Sequence, residues 1–172
     1  MKHSHLLGLL LSGLLISNNS QAQNQINKEQ ITSSYGEVGY IPLTVRFANG
    51  TYIEPELVNL KFGMTLNKNL SIEGMAATTV EKYHNAGIDL IGFYIKPKVA
   101  LSENIEIFAL TGLTHIRAEG AVFGASNRVS LGAGIQKAIG EQQYLQLNYM
   151  RYATGKDREV VQGFNLTLGT SF

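Results

Sequence analysis

Beyond the first twenty-two residues the chain holds only His84 and His115 as histidines, so metal or acid–base chemistry has few places to reside. Glu81 and His84 stand three apart in "VEKYHNA", but this stretch reads as a loop, and no further carboxylate completes a ligand set at usable spacing. His115, in "THIR", falls at the end of a strand and reads as a polar rim residue. Cysteine is absent, which removes disulfides, thiolate ligands and thiol nucleophiles. "GAGIQ" (132–136) lies inside a strand and opens no helix, so it is no phosphate loop. "YMRYATGKDRE" (149–159) mixes bases, acids and aromatics over too short a span for a nucleic-acid surface. These residues define no catalytic, cofactor-binding or metal site. The spacing that carries information is ionic: Lys61 with Glu73, and Lys98 with Glu106, each pair straddling a turn.

Those turns belong to hairpins. In "LVNLKFGMTL" (57–66) Val58, Leu60, Phe62, Met64 and Leu66 take one parity, and Asn59, Lys61, Gly63 and Thr65 take the other. A period of two is a strand with one apolar and one polar face. After the turn Asn67-Lys68-Asn69 comes "LSIEGMA", alternating in the same way. "LIGFYIKPKVAL", Ser102-Glu103-Asn104 and "IEIFALTGLTHI" make a second hairpin; "RVSLGAGIQKA", a turn at Gly140-Glu141 and "YLQLNYMRY" make a third. With "SYGEVGYIPLTV" before them and "VVQGFNLTLGTSF" after, the expected fold is all-β: eight antiparallel strands in an up-and-down barrel. Its tight connections lie near 68, 103 and 141, and its longer ones near 46–56, 78–87, 117–127 and 153–159. If Asn67 opposes Asn69, Lys61 lies diagonal to Glu73; if Ser102 opposes Asn104, Lys98 lies diagonal to Glu106. Long side chains reach across such diagonals.

Periodicity assigns two faces without saying which is wet. One face collects Gly63, Gly92, Gly112, Gly132, Gly134, Gly163 and Gly169 with Lys61, Glu73, Lys96, Lys98 and Arg128. The other collects Val58, Leu60, Phe62, Ile91, Phe93, Ile95, Val129, Leu131, Ile135, Leu145, Leu147, Phe164, Leu166 and Leu168, free of charge. Eight strands enclose a lumen wide enough only for side chains or one small ligand. Glycines interleaved with paired charges suit such a lumen, and an uncharged band suits lipid, where Lys or Arg costs about 2–4 kcal/mol at mid-depth. The expected barrel therefore faces apolar side outward. The pattern leaves the phase of the first and fifth strands open. A periplasmic lipocalin-like barrel binding a small apolar ligand is the alternative, with the faces reversed.

The amino terminus, "MKHSHLLGLLLSGLLISNNSQAQ", has a base, an apolar run of about eleven residues and a Ser20-Gln21-Ala22 site, as in a secretory signal. The expected division is Met1–Ala22 as a cleaved signal with Gln23 first in the mature chain, residues 23–33 as a polar lead-in, and residues 34–172 as the barrel domain. The signal takes one of fourteen bases and none of thirteen acids, leaving a neutral mature chain with no electrostatic call for nucleic acid. Eighteen glycines and three prolines fit strands and turns.

The last strand alternates Phe164, Leu166, Leu168, Thr170 and Phe172. This resembles the sorting signal of bacterial outer-membrane barrels, with Thr170 departing from the usual apolar residue. Together with "YGEVGYIPLTV", "LNKNLSIEGMA" and "LGAGIQKAIGEQQYLQLNYMRY", it makes the mature chain similar to the small eight-stranded outer-membrane β-barrels. These are the OmpA/OmpX-type, porin-family or opacity-type proteins of Gram-negative envelopes. The resemblance implies a cell outer-membrane location and Phe164, Leu166, Leu168 and Phe172 as the assembly signal. Implied partners are lipid, lipopolysaccharide, the barrel-assembly machinery, periplasmic chaperones and a host or surface ligand, with no nucleic acid. The implied role is that of a monomer, structural or interactive, with a filled lumen, no cofactor and no enzymatic activity. Lipid A deacylases of this family use a histidine, a serine and an acid on the outer wall; here Arg117 stands where the serine beside His115 would be sought. Tyr40, Tyr149, Tyr152 and Phe172 are the expected interfacial girdle.

Overall fold

The structure, a computed structural model, describes residues 33–81, 87–119, 126–154 and 159–172. These form nine β-strands: β1 (Ser33–Arg46), β2 (Tyr52–Ile53), β3 (Glu56–Asn67), β4 (Leu70–Glu81), β5 (Gly87–Ala100), β6 (Ile105–Glu119), β7 (Ser126–Ala138), β8 (Gln143–Thr154) and β9 (Val160–Ser171). β1 pairs with β3, each later strand pairs antiparallel with the next, and β9 returns to β1, closing an eight-stranded barrel, while β2 pairs antiparallel with β1 alone. Ser34 and Phe172 exchange both backbone hydrogen bonds at that seam, at 3.1 and 2.9 Å. Closure leaves none of the eight barrel strands as a sheet edge, the condition for strands in lipid.

Residues paired across one strand after another trace a spiral. From Asn127 the row runs through His115, Ile91, Ala76, Leu60, Val38, Leu168 and Leu145, and returns to β7 at Lys137, ten residues from its start. Such a stagger tilts strands by about 40° and leaves an interior that side chains fill.

Two details differ from the sequence pattern. The strands run further into the long connections, with β6 fifteen residues long, and the first connection carries β2, which pairs back onto β1. At the first turn Asn67 faces Leu70, not Asn69, because the ladder slips by one residue between Thr65 and Asn67. Asn67 Oδ1 accepts the Asn69 N–H at 2.9 Å, and a bulge absorbs the extra residue. Beyond it Thr65 faces Ser71 and Lys61 faces Met75, so Lys61 is still diagonal to Glu73.

The apolar set points out. Phe62 is 68% exposed and Phe93 73%, while Lys61 on the opposite parity is 1% exposed. This rejects the lipocalin-like alternative, which needs the reverse. The first strand, whose phase pattern alone leaves open, turns Tyr35, Glu37, Gly39, Ile41, Leu43 and Val45 inward.

Candidate functional site

The lumen is built in tiers. At its centre four ionised side chains form a closed, neutral set. Lys61 Nζ lies 2.9 Å from Glu37 Oε2 and 3.9 Å from Glu73 Oε1; Lys96 Nζ lies 3.6 Å from each carboxylate. All four are buried. Such burial is tolerable only when each charge meets its opposite and the spare lone pairs find donors. Tyr144 donates to Glu37 at 2.9 Å, Thr167 at 2.9 Å and Gln146 at 3.3 Å, and Tyr35 donates to Glu73 at 3.0 Å. Lys96 also donates to Gln146 at 2.6 Å and lies 4.5 Å from the centroid of the Phe108 ring.

Two glycines make this tier possible. Tyr35 is paired with Gly63 and Tyr144 with Gly169, and each ring lies where a glycine Cβ would be. Any larger residue would displace the ring and withdraw its hydroxyl from the carboxylate.

Toward the tight turns the network continues outward. Lys96 donates to Gln136, and Gln136 donates to Glu106, each at 3.4 Å. Lys98 meets Glu106 at 3.4 Å, both partly exposed. They line an open polar cup of about 830 Å³ at the tight-turn mouth, with Lys68 and Glu103 at its rim. Toward the long connections Gln146 carries the network one step further, donating to Asn148 at 3.3 Å. A tier of Asn59, Asn148 and Asn165 joins it, with Asn59 donating to Asn165 at 2.9 Å. Above that tier the lumen is largely apolar: Ile41, Leu43, Val45, Leu57, Leu90, Ile116, Tyr152 and Val161 pack as one core, crossed by one buried chain in which the hydroxyls of Tyr94, Thr114 and Ser130 link at 2.7 and 2.6 Å and Ser130 donates to the Tyr152 carbonyl at 2.8 Å. The cavity at that mouth measures about 30 Å³. The expected lumen of glycines and charges thus fills only half the barrel.

Tyr152, expected in the girdle, belongs to this core and is 0% exposed. It shares the inward parity of Met150, and a bulge between Arg151 and Ala153 buries Ala153 beside it. Tyr40 and Tyr149 do face outward, and Tyr149 meets Phe164 edge to face with centroids 5.1 Å apart. Phe164, Leu166 and Leu168 point out along β9, and the Phe172 ring is 71% exposed at the seam. His115 also faces outward, its Nδ1 2.7 Å from Asn127 Oδ1; Arg117 and Asn127, not a serine, share its surroundings. His84, Ala22 and Gln23 lie outside the described residues.

Glu37 is the residue that pattern reading misses. It holds both lysines, yet it sits in the strand whose phase was ambiguous. Its signal is that it is the only charge between Ser33 and Thr44.

A closed antiparallel barrel with an uncharged outer belt and a polar, paired interior suits a bilayer. The family model described as outer membrane protein beta-barrel domain matches residues 7–172. The chain belongs to that family. As a member of it, the protein is an integral protein of the outer membrane. No curated protein matches it in sequence. Among solved structures it is similar to the attachment invasion locus protein Ail of Yersinia pestis. The two are 20% identical over 82% of this chain and 99% of that one, with a TM-score of 0.62. Ail is also known in complex with the heparin analogue sucrose octasulfate. Neisserial surface protein A matches at 11% identity and a TM-score of 0.64, covering 81% of this chain and 97% of that one. The N-terminal barrel of Pseudomonas aeruginosa OprF matches at 13% and 0.61, covering 84% and 100%. At these identities the likeness is one of fold.

Proposed function

We propose that this outer-membrane barrel is a non-conducting, non-enzymatic monomer whose role is structural or interactive at the cell surface. The observation that carries the reading is the asymmetric lumen: a cup of about 830 Å³ at one mouth, an apolar plug and about 30 Å³ at the other. A solute that enters the cup meets paired charges and then packed side chains. Planar bilayers holding the pure protein are expected to show no stable conductance, and reproducible nanosiemens steps would overturn the closed lumen.

The interactive surface is the long-connection end. There β1, still paired with β9, also pairs with β2 in a hairpin closed by Ala48-Asn49-Gly50, with Gly50 at φ +85° and Tyr52 64% exposed. Arg46 in this hairpin, Arg117 on β6 and Arg151 on β8 face outward around the wall. Exposed arginines suit phosphate or sulfate groups, as on lipopolysaccharide or a sulfated host glycan. Retention of the reconstituted protein on immobilised heparin, lost in an Arg46→Gln/Arg117→Gln/Arg151→Gln variant, is the expected result. Purified lipid A is expected to stay intact on incubation, since no serine faces His115 among the described residues.

Delivery follows the same reading. Met1–Ala22 is a signal removed before Gln23, to be checked by mass of the mature chain. Periplasmic chaperones and the assembly machinery then handle β9 through Phe164, Leu166, Leu168 and Phe172. An unassembled chain exposes apolar faces and unpaired backbone that lipid tolerates only after closure. Phe172→Ala is expected to lower assembled yield in cells far more than Phe62→Ala, by pulse-chase of heat-modifiable barrel. Equal yields would make Phe172 an ordinary wall residue.

A further inference from the structure

The two ends of the ionic network are unequal. At the centre Glu37, Lys61, Glu73 and Lys96 alternate in sign around a closed ring, with nitrogen–oxygen distances of 2.9, 3.9, 3.6 and 3.6 Å. Each charge there meets two of the opposite sign. Two residues along β5, on the same inward parity, stands Lys98, and it meets only Glu106, at 3.4 Å. Among the described residues Lys98 Nζ has no second acceptor. Glu106 Oε2 takes Lys98 and the Gln136 amide, while its Oε1 has no donor. This pair is half of such a ring.

The neighbouring strands do not finish it, because the residues beside the pair are neutral amides. Gln136 faces Glu106, Gln146 faces Gln136, and Asn69 Nδ2 donates to the Lys98 carbonyl at 3.1 Å. The half-ring lies at the tight-turn mouth, in the cup of about 830 Å³. The Lys98 side chain is 14% exposed and that of Glu106 30%, so the pair is sheltered from bulk water yet open to a solute. Around it Asn67, Asn69, Asn104, Gln142 and Gln143 offer donors and acceptors together. The plug beyond makes the cup blind, so whatever binds there enters and leaves by one mouth.

We propose that the cup is a binding site for a free α-amino acid. Its carboxylate takes the open side of Lys98 and its ammonium donates to Glu106 Oε1. Four charges then alternate, as they do in the tier above. An α-amino acid carries both groups on one carbon, about 3 Å apart, the spacing that a ring of this size needs. Hydrogen bonds between ionised partners are the strong ones, and here both ends of the ligand make them. Recognition lies in the head group, and the rest of the cup leaves room for any side chain. The site goes beyond the surface role and shares no residue with the exposed arginines.

The test is an NMR titration of the isotope-labelled mature protein in nanodiscs with glycine, N-acetylglycine, glycinamide and diglycine, at matched ionic strength. Glycine is expected to move the backbone amide signals of Lys98, Glu106 and Gln136 saturably, with a Kd of about 1–10 mM for so small a ligand. N-acetylglycine lacks the ammonium, glycinamide lacks the carboxylate, and diglycine holds its charges too far apart. Each is expected to bind about tenfold more weakly, the scale of one charge-assisted hydrogen bond. Lys98→Met and Glu106→Gln, both confirmed folded by heat modifiability, lower glycine affinity by a similar factor. Lys137→Gln, exposed on the outer face of β7, leaves it unchanged. Absence of a saturable glycine shift overturns the site. So does N-acetylglycine, glycinamide or diglycine binding as tightly as glycine, or glycine affinity that survives Lys98→Met and Glu106→Gln. None of these results touches the bilayer recordings or heparin retention, so the site and the surface role fail separately.

Discussion

The two halves of the lumen are filled by opposite chemistry on the same eight strands. Below the asparagine tier Glu37, Lys61, Glu73 and Lys96 hold one another with tyrosine, threonine and glutamine donors. Above it Ile41, Leu43, Leu57 and Tyr152 pack like the interior of a soluble domain. The polar half is demanding: each member is acceptable only because the others are present, so its energetics are coupled. The apolar half is forgiving, since each side chain contributes its own contacts and loses them locally. The polar half also opens into the wide cup, where water reaches Lys98 and Glu106, while the apolar half forms the seal.

The largest effect is expected from breaking the coupled half at its hub. Glu37→Gln leaves two buried lysines with one carboxylate and is expected to cost about 3–5 kcal/mol in urea unfolding of the refolded barrel. Adding Lys61→Met restores neutrality, so the double variant should lose clearly less than the sum of the single changes. Strict additivity would show that the four charges do not act as a unit.

In the apolar half Leu43→Ala is expected to cost about 2–4 kcal/mol through lost burial and a residual cavity. Combined with Glu37→Gln, its cost should add to within about 0.5 kcal/mol, because the two sites share no partner. Strong coupling would merge the two halves into one.

The smallest effects should lie at the wet mouth. Lys98→Met removes a partly exposed pair and is expected to cost less than about 1 kcal/mol. Lys68→Met, at a solvated turn, should stay within about 0.5 kcal/mol. Lys61→Met should exceed both by a wide margin, and equal midpoints for all three would contradict the burial gradient along the lumen.

Local pattern was enough for the barrel itself. The period of two, the turns and the absence of charge on one parity specify strands, hairpins and an apolar wall, because in a strand adjacent side chains are forced onto opposite faces. The Lys61–Glu73 and Lys98–Glu106 diagonals were readable because paired positions lie equally far from the turn, and the bulge at Asn67 moved the closing pair without moving the first diagonal. What joins across the whole barrel was not readable. Glu37 reaches Tyr144 and Thr167 only because β9 closes on β1, and no local rule relates residues so far apart in the chain. The inward turn of Ile41, Leu43 and Val45, and with it the plug, also depended on closure: apolar residues look alike in sequence whether lipid or a sealed lumen surrounds them. The sequence by itself determined the strands and their two faces, because those are properties of adjacent residues. Only the tertiary structure decided which charges meet and which half of the lumen is dry, because those depend on the stagger with which eight strands close.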